Sequence, residues 1–237
     1  MVATPRRSTS SRNQLLAAMS AADLALLQPH MQPAPMSLLK DLERPYRPID
    51  TIYFMEAGIA SVVAVQPDDT QIEVGLIGRE GMSGTTVLLG DDQSPHHTYM
   101  QVAGEAQRIA LKDLRKAIEA SGSLQRLLFK YVQVFMVQTA HTAIANARAH
   151  IDRRLARWVL MAHDRIDGDT VPLTHEFLAL MLGVRRAGVT EALQSLKQKK
   201  LVDTGRNQII VRNRKGLEQL ARDAYGVPEK EYRRLIG

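Results

Sequence analysis

Apolar positions change period along the chain. At 59–65 they are dense, with Val62, Val63 and Val65, and at 71–77 they alternate as Ile72, Val74 and Leu76. Two such runs flanking a polar turn at 67–70 predict a β-hairpin. Further strands are predicted at 52–55, 85–89, 98–102 and 106–111, short and evenly spaced as in a small antiparallel roll. A helical segment is expected before them at 14–27, with Ser20 placed to cap ahead of Asp23. After them the period lengthens: 112–120 reads as a short helix and 123–149 as a long one. In the long helix Leu124, Tyr131, Gln138 and Ala145 share one heptad position, and Leu128, Phe135, Thr142 and Ala149 share another. That seam predicts a two-stranded coiled coil in which a buried polar residue fixes register. The alternative is that the same stripe packs on the chain's own roll.

From 173 to 196 the pattern is two short helices joined by a tight turn. Thr174 can cap the first, Phe177, Leu178, Met181 and Leu182 face inward, and Gly183 comes next, where a left-handed residue ends a helix without a Cβ penalty. Val189, Ala192, Leu193 and Leu196 give the second helix a buried stripe. Its outer face carries Arg186, Ala187, Thr190, Glu191 and Gln194, side chains sized to reach base edges in a major groove. The plain alternative is a helical hairpin with solvated charges, Lys197, Lys199 and Lys200 stabilising the negative end of a helix dipole. The adjoining segment favours DNA: 201–212 reads as a β-hairpin, a wing beside which Arg206 is placed for phosphate. Thr174, Arg185 and Lys199 are the other phosphate candidates.

Charge sharpens this division. From residue 148 to the end there are 18 Lys and Arg against 11 Asp and Glu, and before it 13 against 14, so the net +6 belongs to the second half. A basic domain suits a polyanion, because neutralised phosphates release counterions. The expected domains are an arm at 1–13, a sensor-like roll at 14–121, the long helix at 122–150 and a DNA-binding domain at 151–237. The chain has no cysteine, which excludes disulfides, thiol catalysis and a cysteine-held iron–sulfur cluster. No metal site is expected. With no apolar run of about 18 residues and no signal-peptide pattern, a soluble cytoplasmic protein without a membrane partner is expected. No nucleophile elbow, metalloprotease motif or acid–base constellation points to an enzyme.

Gly75, Gly78, Gly81 and Gly84 fall every third residue, and form neither a dinucleotide nor a phosphate-loop motif. They read as turns between strands, or as a loop approaching a ligand closely. Adjacent His96 and His97 read as surface or turn residues, or as a pH- or metal-responsive pair.

Roll, long helix, helix-turn-helix and wing in this order, with Leu173-Thr174, Gly183-Val184, the 186–196 segment and the Gly-Arg-Glu-Gly run at 78–81, resemble the bacterial CRP/FNR family of transcription regulators. The resemblance spans nearly the whole chain and implies an α+β fold: a cyclic-nucleotide-binding-like roll, a dimerisation helix and a winged helix-turn-helix. It implies a homodimer on a two-fold symmetric DNA site, with Arg186, Ala187 and Glu191 at base-reading positions. It also implies an effector pocket among Gly78, Glu80, Gly81, His96, His97 and Gln138, and a dimer helix built on Leu124, Leu128, Tyr131, Phe135, Gln138 and Thr142. RNA polymerase and a small-molecule effector are the further partners implied. Where cyclic-nucleotide binders of the family carry an Arg-Ser pair, this chain has His96-His97, and a neutral imidazole cannot hold a phosphate as a guanidinium does. Cyclic AMP is therefore not the expected effector, and no cofactor is expected. The rival expectation is a cyclic-nucleotide-responsive module whose helix-turn-helix contacts protein. Arg185 stands where the family places a serine cap.

Overall fold

The computed structural model describes residues 11–67 and 70–237. Most of the arm, 1–10, and the middle of the turn at 67–70 lie outside them. The segment 14–27 divides into two helices, α1 (Gln14–Ala17) and α2 (Ala21–Leu27), each with its own cap: Asn13 accepts from the Leu16 N–H, and Ser20 from the Asp23 N–H at 3.1 Å. Asn13, expected in a mobile arm, is fully buried, its amide donating to the carbonyls of Met55 and Gly81 at 2.8 Å. Residues 11–13 thus belong to the roll.

The roll contains β1 (Gln32–Met36), β2 (Asp41–Glu43), β3 (Thr51–Val65), β4 (Gln71–Ile77), the one-turn helix α3 (Thr85–Leu88) and β5 (His96–Ala110). Its sheet runs β1-β5-β3-β4, with β2 also paired to β5. The β3–β4 hairpin is present as the alternation requires. Segments 52–55 and 59–65 are one strand, as are 98–102 and 106–110, because both are carried through bulges near Ala57 and Ile59. Gly58 at φ +84° marks the bend. The strand expected at 85–89 is instead α3: Gly84 turns the chain at φ +73°, and Val87 and Leu88 enter the core from one helical turn. Prolines hid β1, whose alternating burial of Ala34 and Met36 is that of an edge strand.

Helix α4 (Leu111–Ala120) leads into α5 (Gly122–Arg148). The stripe expected to meet a second copy packs on the roll instead: Leu124, Leu128, Tyr131, Gln138 and Ala145 are buried within one chain, and Phe135 lies against the β4 side of the core. Tyr131 donates to the Met82 carbonyl at 3.0 Å, and the Gln138 side chain bonds both polar groups of the Leu76 backbone. Those bonds satisfy a buried amide that a coiled-coil seam would have left facing another chain. Thr142, the last of the seam, donates to the Gln138 carbonyl.

The second domain runs α6 (Ile151–His163), β6 (Thr170–Pro172), α7 (His175–Leu182), α8 (Arg186–Gln198), β7 (Val202–Gly205), β8 (Gln208–Val211), α9 (Arg214–Ala221) and α10 (Val227–Leu235). The wing gains a third strand, β6, so the sheet order is β6-β8-β7. One apolar core joins this domain to the roll, containing Ile59, Leu76 and Val102 beside Trp158, Leu178 and Met181. Trp158 fills that core, and its indole N–H also reaches across to Glu73 on β4. Helix α10 returns to α5 and the roll, where its Tyr232 donates to the Glu80 carbonyl at 2.9 Å.

Candidate DNA-reading face

Helix α7 begins at Thr174, whose hydroxyl accepts from the Phe177 N–H at 3.2 Å, and ends at Gly183 with φ +58°. Leu178, Met181 and Leu182 are buried, Phe177 partly. Helix α8 then buries Val189, Ala192, Leu193 and Leu196, which leaves Arg186, Ala187, Glu191 and Gln194 exposed on one side. Thr190 is half-buried and donates to the Arg186 carbonyl at 3.1 Å. Arg186 forms an ion pair with Glu176 of α7 at 2.6 Å. Both side chains are mostly exposed, so water screens the pair and a phosphate or a guanine edge can compete for the guanidinium. No side chain caps α8 where Arg185 stands.

The phosphate candidates separate by partner. Arg185 and Arg206 are exposed and carry no ion pair among the described residues. Lys199 is turned back to Asp152 at 3.5 Å, and Thr174 already spends its oxygen on the cap. Arg206 sits at the wing tip beside Asn207, whose φ of +56° makes the tight reversal between β7 and β8.

The expected effector pocket assembles only in part: Glu80 and Gln138 line one cleft, and the two histidines stand apart from it. His96 and His97 pair with Ala64 and Val63 at one end of β3, while Gly78 follows Ile77, which pairs with Ala60 toward the other. His97 bonds Asp41 at 2.6 Å, a contact that holds that carboxyl below its usual range, and burial pushes the His96 imidazole down. Gly78, Glu80 and Gly81 instead meet other parts of the protein. A Cβ at Gly78 would stand 2.5 Å from Arg165, one at Gly81 would overlap the Tyr131 hydroxyl, and one at Gly75 would stand 2.8 Å from Phe135. The run of glycines is therefore mainly a close-packing device, with Gly84 alone of the four at positive φ. Glu80 pairs with Arg165 at 2.7 Å. Sequence reasoning missed this carboxylate's partner because the two lie on different domains.

Beside that pair lies a cleft of about 360 Å³ between the domains, lined among others by Arg79, Glu80, Gln138, Arg165, Tyr225 and Arg233. Among the described residues no cluster of three or more His, Asp and Glu could hold a metal, and no helix is long and apolar enough to cross a membrane.

The exposed face of α8, its packing on α7 and the three-stranded wing define a winged helix-turn-helix. Residues 153–220 match the model of the Crp-like helix-turn-helix domain. The chain is 23% identical over 176 residues to the global nitrogen regulator of Nostoc sp., covering 70% of this chain and 79% of that one. Its fold is similar to that of FixK2 from Bradyrhizobium japonicum, with a TM-score of 0.69, 16% identity and coverage of 80% of this chain and 96% of the other. It is similar too to the c-di-GMP-responsive global regulator CLP of Xanthomonas campestris, at a TM-score of 0.63, 18% identity and coverage of 81% and 99%. Residues 153–220 thus form a Crp-like helix-turn-helix DNA-binding domain, and the chain as a whole is similar to CRP/FNR-like transcription regulators.

Proposed function

We propose that two copies of this chain bind a two-fold symmetric DNA site, each placing α8 in a major groove. The observation that carries the reading is the division of α8 into a buried stripe and an exposed face bearing Arg186, Ala187, Glu191 and Gln194. Arg186 and Gln194 supply hydrogen-bond donors for base edges, Glu191 an acceptor for cytosine, and Arg185 and Arg206 fix register on phosphate.

Dimerisation is supported by a second seam on α5. Phe129, Gln133, Met136, Ala140, Ala143 and Ala147 are all exposed and succeed one another at alternating spacings of four and three, with exposed Ile144 alongside. An apolar heptad stripe left uncovered on a long helix fits the same stripe on another copy. The small residues of its second half allow close approach of the helices. A two-fold pair then presents two recognition helices to half-sites about one helical turn apart.

The roll is not read as a cyclic-nucleotide site. Tyr131 and Gln138 press α5 onto β4 and the glycine turn, and no arginine stands at the His96-His97 position. An effector is better accommodated in the cleft between roll and DNA-binding domain, where occupancy would favour one orientation of that domain over another. Selection of bound duplexes from a random library at fixed salt tests the function. A two-fold symmetric consensus is expected, and equal affinity for every sequence overturns it.

A further inference from the structure

The surface by which the DNA-binding domain rests on the roll has a carboxyl group at its centre. Glu73, on β4, is 5% exposed. One oxygen accepts from Ser61 of β3 at 2.6 Å, and the other accepts from the indole N–H of Trp158 on α6 at 2.8 Å. No Lys, Arg or His among the described residues is within ion-pairing distance of it. The groups facing it are Tyr99 from β5, Arg157 from α6 and the more distant Arg165 after α6, with Arg154 lining the same small recess. The remaining contacts beside it include apolar ones, Leu76, Ile59 and Val102 against Met181 and Leu178, and Gln101 donating to the Met181 sulfur at 2.6 Å. Separating the domains would expose Glu73 to water, whereas docking buries it without an ion pair, the charges of Arg157 and Arg165 acting on it only from beyond contact.

We propose that the Glu73–Trp158 contact is a proton-controlled latch: protonated Glu73 holds the DNA-binding domain against the roll, and ionised Glu73 loosens it, changing how the recognition helix is presented. Burial raises the Glu73 carboxyl to about 7, against which the Ser61 and Trp158 hydrogen bonds and the charge of Arg157 act. Once undocked it returns to the ordinary carboxylate range of about 4.3. The docked form therefore holds its proton more tightly, so docking is strongest at low pH and weakens as pH rises through that range to about 7, then levels off. From pH 6 to pH 8 the docking equilibrium falls about tenfold. This inference concerns regulation of the DNA-binding domain, and it is tested without DNA so that its failure and that of the DNA-reading assignment stay separate.

Trp158 is the sole tryptophan, so its emission reports the contact directly. Full-length protein titrated from pH 5.5 to 8.5 should show a fluorescence transition near 7. Amide hydrogen exchange in β4 and α6, corrected for the intrinsic rate, should accelerate with the same midpoint. Glu73→Gln keeps both acceptor and donor capacity but cannot ionise, and should abolish both transitions while leaving the domain docked. Ser61→Ala removes a bond that favours the ionised form and should move the midpoint upward, a response that a purely structural role would not give. A wild-type protein without either transition, a Glu73→Gln variant that retains them, or an unmoved midpoint in Ser61→Ala overturns the proposal.

Discussion

Replacing Met136 by Asp decides which face of α5 meets a second copy. In the single chain Met136 is 64% exposed, in the middle of the uncovered heptad stripe. Full burial of a methionine contributes about 1.5–3 kcal/mol, so covering its exposed part contributes about 1–2 kcal/mol per copy. Two-fold symmetry counts the residue twice, about 2–4 kcal/mol for the pair. Removing that contact alone raises the dimer Kd about 30- to 1,000-fold, and the paired carboxylates add repulsion. Sedimentation equilibrium across a concentration series measures the change. Leu128→Ala is the comparison, since Leu128 is fully buried in the roll's own core. It should lower unfolding stability by about 2–5 kcal/mol while folded chains still associate. A Met136→Asp protein that remains dimeric with unchanged Kd, beside a folded Leu128→Ala protein that dissociates, would restore the stripe through Leu124 and Leu128 as the interface and refute the reasoning.

Other contacts set further outcomes. Arg186→Ala should weaken specific binding by about 1–3 kcal/mol and relax preference at one base pair, read from binding to a set of single-position operator variants. Arg206→Ala should lower affinity for all sequences alike and reduce the slope of log affinity against log salt by about one for each chain bound. Thr174→Ala leaves an N–H of α7 without its cap and should lower unfolding stability by about 1 kcal/mol in denaturant titration. Gly81→Ala forces a methyl against the Tyr131 ring as well as its hydroxyl, and overpacking of this kind should lower unfolding stability by about 1–3 kcal/mol in denaturant titration.

The DNA-reading half of the chain was legible because its signals are local. A cap at Thr174, a left-handed Gly183 and the spacing of Val189, Ala192, Leu193 and Leu196 lie within one short stretch and define both helices and their inner face. The outer face is then set by geometry. The long helix was legible in extent but not in orientation, since it carries two heptad stripes. Periodicity cannot tell which is covered by the roll and which is left open. Gln138 looked like a polar register position, yet it answers the buried backbone of Leu76. The segment 85–89 misled because Thr85, Thr86 and Val87 are β-branched, while the positive φ at Gly84 and the burial of Val87 and Leu88 carry more weight.

Sequence alone determined the succession of roll, long helix, helix-turn-helix and wing, the basic second domain, the outward face of α8, and the absence of thiol chemistry. Those depend on neighbours in the chain or on composition. Only the tertiary structure decided that the glycine run is a packing surface, that Glu80 belongs to Arg165, that the histidine pair stands apart from both, and that Glu73 meets Trp158 between domains. Each of these joins residues remote in sequence, whose meeting is set by how apolar faces of separate elements bury one another rather than by any local preference.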